Sequence, residues 1–557
     1  MNHRILVCMF LMLAPLRLTC QITVGLIDRQ IGSEDGYVLF APSSSDTTYL
    51  IDKCGRKLHQ WVSNYAPGQS VYLLEDGTLL RSGRANNPVF TAGGTGGIIE
   101  KFSWSGQLLW SYTVSNTTEC QHHDIYPMPN GHVLVLAWDL KTPAEAIAAG
   151  RNPSLLGNAL WSEKILELEP VGSTSANIVW QWEVWDHLVQ EFDATKSNYG
   201  IISQHPELIN LNYTTGAATR ADWLHCNALD YNETLDQIII SNHNFSELWI
   251  IDHGTTDIEA SGHTGGRYGK GGDLLYRWGN PQAYGRGSAS TKKFFGQHNT
   301  QWIRAGLQDA GNILVFNNGL NRPAGNYSSV EIIAPIVDSA GNYPVPSNIA
   351  FGPDSAYWKY TAPVPTDFYS TNISGAQRLP GGNTMVCSGS NGIFFEIDSA
   401  KNTVWRYVSP ASQGGNILSQ GTTPTMNPVF RCTQYSETYP AFTGQALIPG
   451  DPLELNPLPN GCNMTTSLPG FSAGKKPDIS IIQFPERLII KTTGYEGYAS
   501  ITLSDMRGSM IKMWKDVMMS DEKDVLLQLD KAVIAGVHVL SVRTAGGDMI
   551  MRKLLLF

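Results

Sequence analysis

A repeated phrase constrains this chain more than any other feature: a short strand, a Gly turn, a second strand, a third strand rich in Ile and acids, then a strand carrying Trp. Ser70–Leu80 reads SVYLLEDGTLL and is followed by GGIIEKFSWSGQLLWSY; His122–Leu136 reads HHDIYPMPNGHVLVL and is followed by KILELEP and NIVWQWEV. His225–Ile240, Gln297–Phe316 and Thr371–Cys387 open three more units, and Gly36–Trp61 is a shorter version. Alternating apolar positions broken by Gly, Asn and Asp read as antiparallel hairpins. About six units of four short strands are the mark of a β-propeller, because each unit buries its faces against its neighbours. The spacing is uneven, from about 40 to 100 residues, so several blades carry long insertions. The expected fold class is all-β: a six-bladed β-propeller over residues 21–448, followed by a small C-terminal β-sandwich domain.

Composition agrees. Charged residues are 16% and Gly numbers 54, which suits a turn-rich all-β chain. A net charge of −10 with no Lys/Arg block argues against nucleic acid as a partner. Arg4, the apolar Ile5–Pro15 and the small polar residues from Thr19 have the shape of a signal peptide, 1–20, and predict a secreted or cell-surface protein. No later stretch approaches 18 uninterrupted apolar residues, so no transmembrane segment is expected. There is no Cys-x-x-Cys, which leaves a zinc ribbon unsupported. Export allows disulfides, and the pair nearest in sequence is Cys432 and Cys462.

Residues 449–476 are rich in Pro, Gly, Asn and Ser and read as a linker. Residues 477–557 then alternate in RLIIKTT, ASITLSD, DVLLQLD and VHVLSVR. The closing GVHVLSVRTAGGDMIMRKLLLF and the segment ITLSDMRGSMIK, with Asp505 and Gly508 at its turn, resemble the C-terminal sorting domain of bacterial type IX secretion. His538 departs from that family's usual Tyr. The resemblance implies secretion machinery as a partner.

Strand phase singles out one cluster of side chains. Counting back eight from the turn glycines Gly77, Gly131 and Gly382 reaches Gln69, His123 and Ser374. The fourth and fifth units start the same way, with His225 and His298. Inner strands of a propeller line its channel, so these positions converge at one mouth. His243 ends the strand after His225 and can join them. Three such histidines fit strand caps, a metal site of the kind that suits Zn or Fe, or a metal-free site for an oxyanion. Phosphate-loop and serine-elbow patterns fail on spacing and context at GGRYGKG and GFSAG. Arg277, in GKGGDLLYRWGNP, is a lesser candidate for substrate contact.

At these residues the chain resembles the arylsulfotransferase family of bacterial aryl-sulfate sulfotransferases. The matching stretches are HHDIYPMPNGHVLVLAW, DWLHCNALDYN, SNHNFSELWIID, GKGGDLLYRWGNP, GQHNTQWI and LVFNNG, within residues 36–410. The resemblance implies a six-bladed propeller that moves a sulfuryl group between phenols by ping-pong chemistry, with no nucleotide donor, no cofactor and no metal. Its partners would be small phenolic sulfates and phenols. It implies His298 as the transiently sulfated nucleophile, His123 or its neighbour His122 beside the sulfuryl group, and His225 with Asn227 on the sulfate oxygens. His243 departs from the family: an arginine stands there in better-known members. Trp223, Tyr276, Trp302 and Tyr327 are candidates to hold aryl rings. A metal-dependent propeller hydrolase and a non-catalytic binding propeller are the alternatives.

Overall fold

The computed structural model describes residues 23–215, 219–345, 347–458, 462 and, with short gaps, 478–556. The signal segment, most of the stretch read as a linker and Gly508 lie outside the described residues. The chain divides into two compact units, 1–464 and 465–557.

In the first unit six antiparallel sheets carry the repeat. The second sheet runs Pro67–Leu73, Leu79–Arg84, Gly97–Phe102, Leu108–Thr113, in chain order from inside to outside. The third (Glu119–Pro127 to Ser175–Glu183), fourth (Cys226–Asn232 to Tyr276–Trp278) and fifth (His298–Trp302 to Trp358–Tyr360) repeat that order. The sixth, Gly375–Arg378 to Thr403–Val408, gains Gly25–Arg29 on its outer edge. The first sheet joins both ends of the unit: Val429–Tyr435 forms its inner strand and pairs with Tyr37–Pro42. Inner strands touch in cyclic order, and Val429–Tyr435 meets both the sixth and the second sheets, which closes a propeller-like ring.

Sequence explains why the sheets pack. The middle strands QIIISN and ELWIID of the fourth sheet are buried at every residue, since a sheet in such a ring has neighbours on both faces. The fourth strand of every sheet, counted from the inside, carries a Trp: Trp61, Trp110, Trp180 with Trp182, Trp278, Trp358 and Trp405. Most of these indoles reach the next sheet. Trp61 Nε1 donates to Ser103 O, Trp110 to Ser175 O, Trp182 to Gly272 O and Trp278 to Pro353 O. Trp405 closes the circle by donating to Lys53 O of the first sheet at 2.8 Å, and Lys53 Nζ lies 3.9 Å over its ring. Each indole thus adds a directional bond to a large apolar contact. Trp405→Phe keeps most of the contact and orphans a buried carbonyl. It is expected to cost roughly 1–2 kcal/mol in chemical denaturation.

The stretch after residue 448 is partly structured. Lys57 N donates to Asp451 O, Leu453 N to Gly55 O and Leu455 N to Leu418 O. Cys462 forms its disulfide with Cys54, and Cys432 is a buried free thiol. Nearness in sequence misled here. The returning chain runs along the turn that holds Cys54, whereas Cys432 sits inside the ring on its inner strand.

In the second unit, Asp478–Phe484, Arg487–Thr493 and Val525–Gln528 form one antiparallel sheet, and Gly497–Asp505, Met510–Met519, Gly536–Thr544 and Met549–Leu556 form another. Ile479, Leu488 and Leu527 from the one share a core with Ile501, Leu503 and Leu540 from the other. Among the described residues no helix is long and apolar enough to cross a membrane.

Candidate active site

The inner strands begin with an unusual backbone. Gln69, His123, His225, Asn299 and Ser374 all have left-handed φ, from 50° to 107°, in the second to sixth sheets. In the second to fifth sheets the inner strand also slips register against its partner there. Non-glycine residues in this region are strained and gather at functional sites. Counting from the glycines therefore found real equivalents in Gln69, His123 and Ser374. The fifth unit does not start the same way: Asn299 occupies the shared position, and His298 stands one residue earlier, level with His122. The longer hairpin of the fifth unit hid that offset.

His123, His225, His243 and His298 nevertheless form one continuous array. Successive ring centroids lie 4.6, 5.3 and 5.4 Å apart. Strand direction puts the excursions 85–96, 142–159 and 184–215 at this same end of the ring, and Gly94 O in the first of them accepts from His123 N. His123 and His298 are each 2% exposed, while His225 and His243 are half-buried and form the approach. Two glycines make room: a Cβ on Gly94 would overlap the His123 ring, and one on Gly296 would lie 2.8 Å from His243 Nε2.

Hydrogen bonds fix the tautomers of two rings. Asn318 follows the second strand of the fifth sheet and donates its amide to Ser370 O and Ile373 O, so its Oδ1 is an acceptor. His298 Nδ1 lies 2.7 Å from that oxygen and must carry a proton, which leaves Nε2 as the lone pair. Ile373 N donates to this Nε2 in a long bond of 3.2 Å, from a residue that is itself left-handed. Asn244 donates to Asp222 O and Trp223 O, so His243 Nδ1 donates to Asn244 Oδ1 at 2.9 Å. His243 Nε2 is then also a lone pair while the ring is neutral.

Charge is distributed unevenly over these rings. Burial, then the neighbouring imidazoles, hold His123 and His298 well below the ordinary histidine value. Burial and His225 bring His243 down to about 4. His225 differs: burial opposes its charge, but Asp222 Oδ2, 2.5 Å from Nδ1, overrides it and raises the pKa above 6.5. Asp222 thus biases the His225 ring toward its cation, among rings that burial biases toward neutrality. The exposed Arg220 adds positive charge felt by Asp222, His225 and His243.

His122 faces away from the array. Its ring stacks on Trp138 at 4.0 Å and bonds His123 Nδ1 and Glu163 Oε2. Asn227 is fully buried, and its amide donates to Gln297 O beside His298; its Oδ1 has no partner. Arg277 does not reach the site. It is locked to the buried Glu247 carboxylate and to Pro206 O and Leu208 O, which corrects the expectation of substrate contact. Trp223 and Tyr276 are buried and spend their polar atoms on Tyr213 O and Gly352 O. Trp302 lines a cavity of about 900 Å³ at the opposite mouth of the ring, which none of the four histidines lines. Between the two ends stands Asp124, whose carboxylate takes Tyr72 Oη, Leu229 N and Arg431 Nη2.

The array is not a compact metal nest. Among the described residues the one group of three donors all within 4.8 Å of one another is His187, His263 and Asp273. There both rings bond the same carboxylate oxygen, and His187 Nε2 donates to Ala260 O. Sequence reasoning missed Glu163, Asp222, Asn244 and Asn318. Asp222 and Asn244 carried a signal, since each is within three residues of its histidine; Glu163 and Asn318 carried none.

The fold and the site define a propeller-like ring with an array of histidines gathered at one mouth. The arylsulfotransferase (ASST) family model matches residues 33–428, and the chain belongs to that family. No curated protein matches the chain. Similar solved structures include a protein of unknown function from Bacteroides caccae, at 12% identity over 72% of this chain and 99% of that one, TM-score 0.37. A putative 6-phosphogluconolactonase from Bacteroides fragilis has 10% identity over 73% and 100%, TM-score 0.32. A β-propeller domain from Myceliophteria thermophila has 9% identity over 70% and 91%, TM-score 0.34.

Proposed function

We propose that this protein is a six-bladed propeller enzyme that moves a sulfuryl group from a phenolic sulfate ester to a phenolic acceptor through an N-sulfohistidine at His298. The observation that carries the reading is the state of His298: a ring held toward neutrality beside His243, with its Nδ1–H held by Asn318 and its Nε2 lone pair accepting only the Ile373 N–H. A neutral nitrogen with a fixed lone pair is what in-line attack on sulfur requires. Attack must displace the Ile373 N–H, which donates to Nε2 at 3.2 Å, the long end of the ordinary range. His225 supplies the positive charge for the sulfuryl oxygens, with Arg220 behind it. His243 enters as a base or, once an anion raises its pKa, as a second donor. His123 protonates the departing phenolate and takes the proton of the acceptor phenol. Asn227 offers its remaining amide N–H.

The C-terminal residues 477–557 are proposed as a β-sandwich sorting domain, and the first 20 residues as an export signal. A secreted or cell-surface location fits both. Supporting observations are the two sheets with one shared core and the disulfide from Cys54 to Cys462.

The test uses purified protein with a chromogenic aryl sulfate, without nucleotide or metal. A burst of phenol release, followed by turnover that accelerates with added phenol, is expected. Phenol-independent release would mean hydrolysis, and no release from folded protein would remove the reading for that donor. A pH series adds a second expectation. The cationic form of His225 is present below its pKa and lost above it. Donor KM should therefore rise as pH climbs through that value, and Asp222→Asn should move the rise to lower pH.

A further inference from the structure

Glu163 has no place in the chemistry described so far, yet it is a fully buried carboxyl within two hydrogen bonds of His123. We propose that Glu163 and His122 form a buried proton relay that serves His123 during sulfuryl transfer; this rests on the transfer reading above. Glu163 Oε2 lies 2.6 Å from His122 Nε2, and His122 Nδ1 lies 2.9 Å from His123 Nδ1. Both residues are 0–1% exposed. Trp138 stacks on the His122 ring at an interplanar angle of 7° and fixes its plane. The backbone N–H of Cys226 anchors the other carboxyl oxygen at 3.0 Å.

Two proton arrangements satisfy this row, and they differ by one proton. In the loaded arrangement the Glu163 carboxyl donates to His122 Nε2, His122 Nδ1–H donates to His123 Nδ1, and His123 Nε2 carries a proton. In the unloaded one Glu163 is a carboxylate accepting from His122 Nε2–H, His123 Nδ1–H donates to His122 Nδ1, and His123 Nε2 is a lone pair. Both imidazoles are neutral in each. Burial, the first cause, raises Glu163 well above the ordinary carboxyl range and lowers His122 and His123 well below that of histidine, which favours the loaded form at rest.

The reaction then balances without charging His123 or His122; the one ring that gains charge is that of His298, which keeps Nδ1–H while Nε2 bonds sulfur, and the negative sulfuryl oxygens on the same ring offset it. In the donor half, His298 Nε2 attacks sulfur, the S–O bond breaks and the phenolate oxygen takes the proton from His123 Nε2. A proton follows from His122 to His123 Nδ1, and another from Glu163 to His122, leaving the carboxylate. In the acceptor half, His123 Nε2 takes the phenol's proton, the phenolate oxygen attacks sulfur, the S–N bond breaks and His298 regains its lone pair. The relay runs backwards and Glu163 is protonated again. A direct transfer to His123 alone would instead charge a ring 2% exposed, beside the His225 cation.

The discriminating experiment compares donors of different leaving-group basicity in the full-length protein. A nitrophenyl sulfate leaves without help; a phenyl sulfate, whose phenol has a pKa of about 10, needs a proton. Glu163→Gln keeps the shape and cannot carry the proton. It should lose up to about tenfold on the nitrophenyl donor and about 10³-fold or more on the phenyl donor. The proton inventory in mixed H₂O and D₂O should change from curved in the wild type to linear. His122→Phe, which keeps the stack on Trp138, should give the same selectivity, and the double variant should be no worse than either. Equal losses on both donors, or a curved inventory in Glu163→Gln, would overturn the relay, because a structural role predicts no dependence on the leaving group. The residual nitrophenyl burst reports folded enzyme. A wild type without a burst and without sulfuryl on His298 would overturn the transfer reading, and the relay with it.

Discussion

His298→Ala should abolish sulfuryl transfer, lowering turnover of every aryl sulfate by at least about 10⁴-fold. Removing a nucleophile removes the covalent path, and the remaining donors bind the anion without splitting the reaction in two. The fold should survive. His298 bonds to Asn318 and Gly296 O, and its loss exposes neither an ion pair nor a buried charge. The wild type, quenched after donor alone, should carry the mass of one sulfuryl group on the peptide containing His298, and the variant should not. His225→Ala is the contrast. It should raise donor KM and leave a measurable burst, because it removes an oxygen ligand and not the attacking atom. An unmodified His298 peptide beside full wild-type turnover would refute the covalent path.

Asp124→Ala should cause the largest loss of stability of any single change near the channel, about 3–5 kcal/mol in denaturant unfolding. The Asp124 side chain is fully buried and takes bonds from three other sheets: Tyr72 from the second, Leu229 from the fourth and Arg431 from the first. Without it the Arg431 guanidinium, 2.5 Å away and stacked on Phe430, is a largely buried cation, 15% exposed, that has lost its Asp124 counter-charge. Removing both charges is the control. Asp124→Ala combined with Arg431→Met should recover much of the loss, since the destabilising element is the orphaned charge. If the double variant is as unstable as the single one, Asp124 acts through Tyr72 and Leu229 and not through the ion pair.

Much of the ring was legible because its signals are local. The period-2 strands, the Gly turns and the tryptophan in every fourth strand lie within one unit, and each unit repeats them. The glycine spacing even located the left-handed residues Gln69, His123 and Ser374. The fifth unit was matched by its opening histidine instead, and there a longer hairpin and a bulge put Asn299, not His298, at the shared position. Arg277 was only a lesser candidate for substrate contact, and nothing in GDLLYRWGNP names the partner it pairs with, Glu247, 30 residues earlier.

The sequence by itself determined the histidines and their order, the all-β class and the family, since these rest on residue identity and short-range pattern. Tertiary structure alone decided what each histidine is. His122, His123, His225, His243 and His298 are the same side chain in the sequence; Glu163, Asp222, Asn244 and Asn318, across their hydrogen bonds, set the rings apart in charge and tautomer. The physical reason is that protonation and tautomer are set by burial and by the atom across each hydrogen bond. Glu163 and Asn318 reach their histidines only when separate strands are brought together.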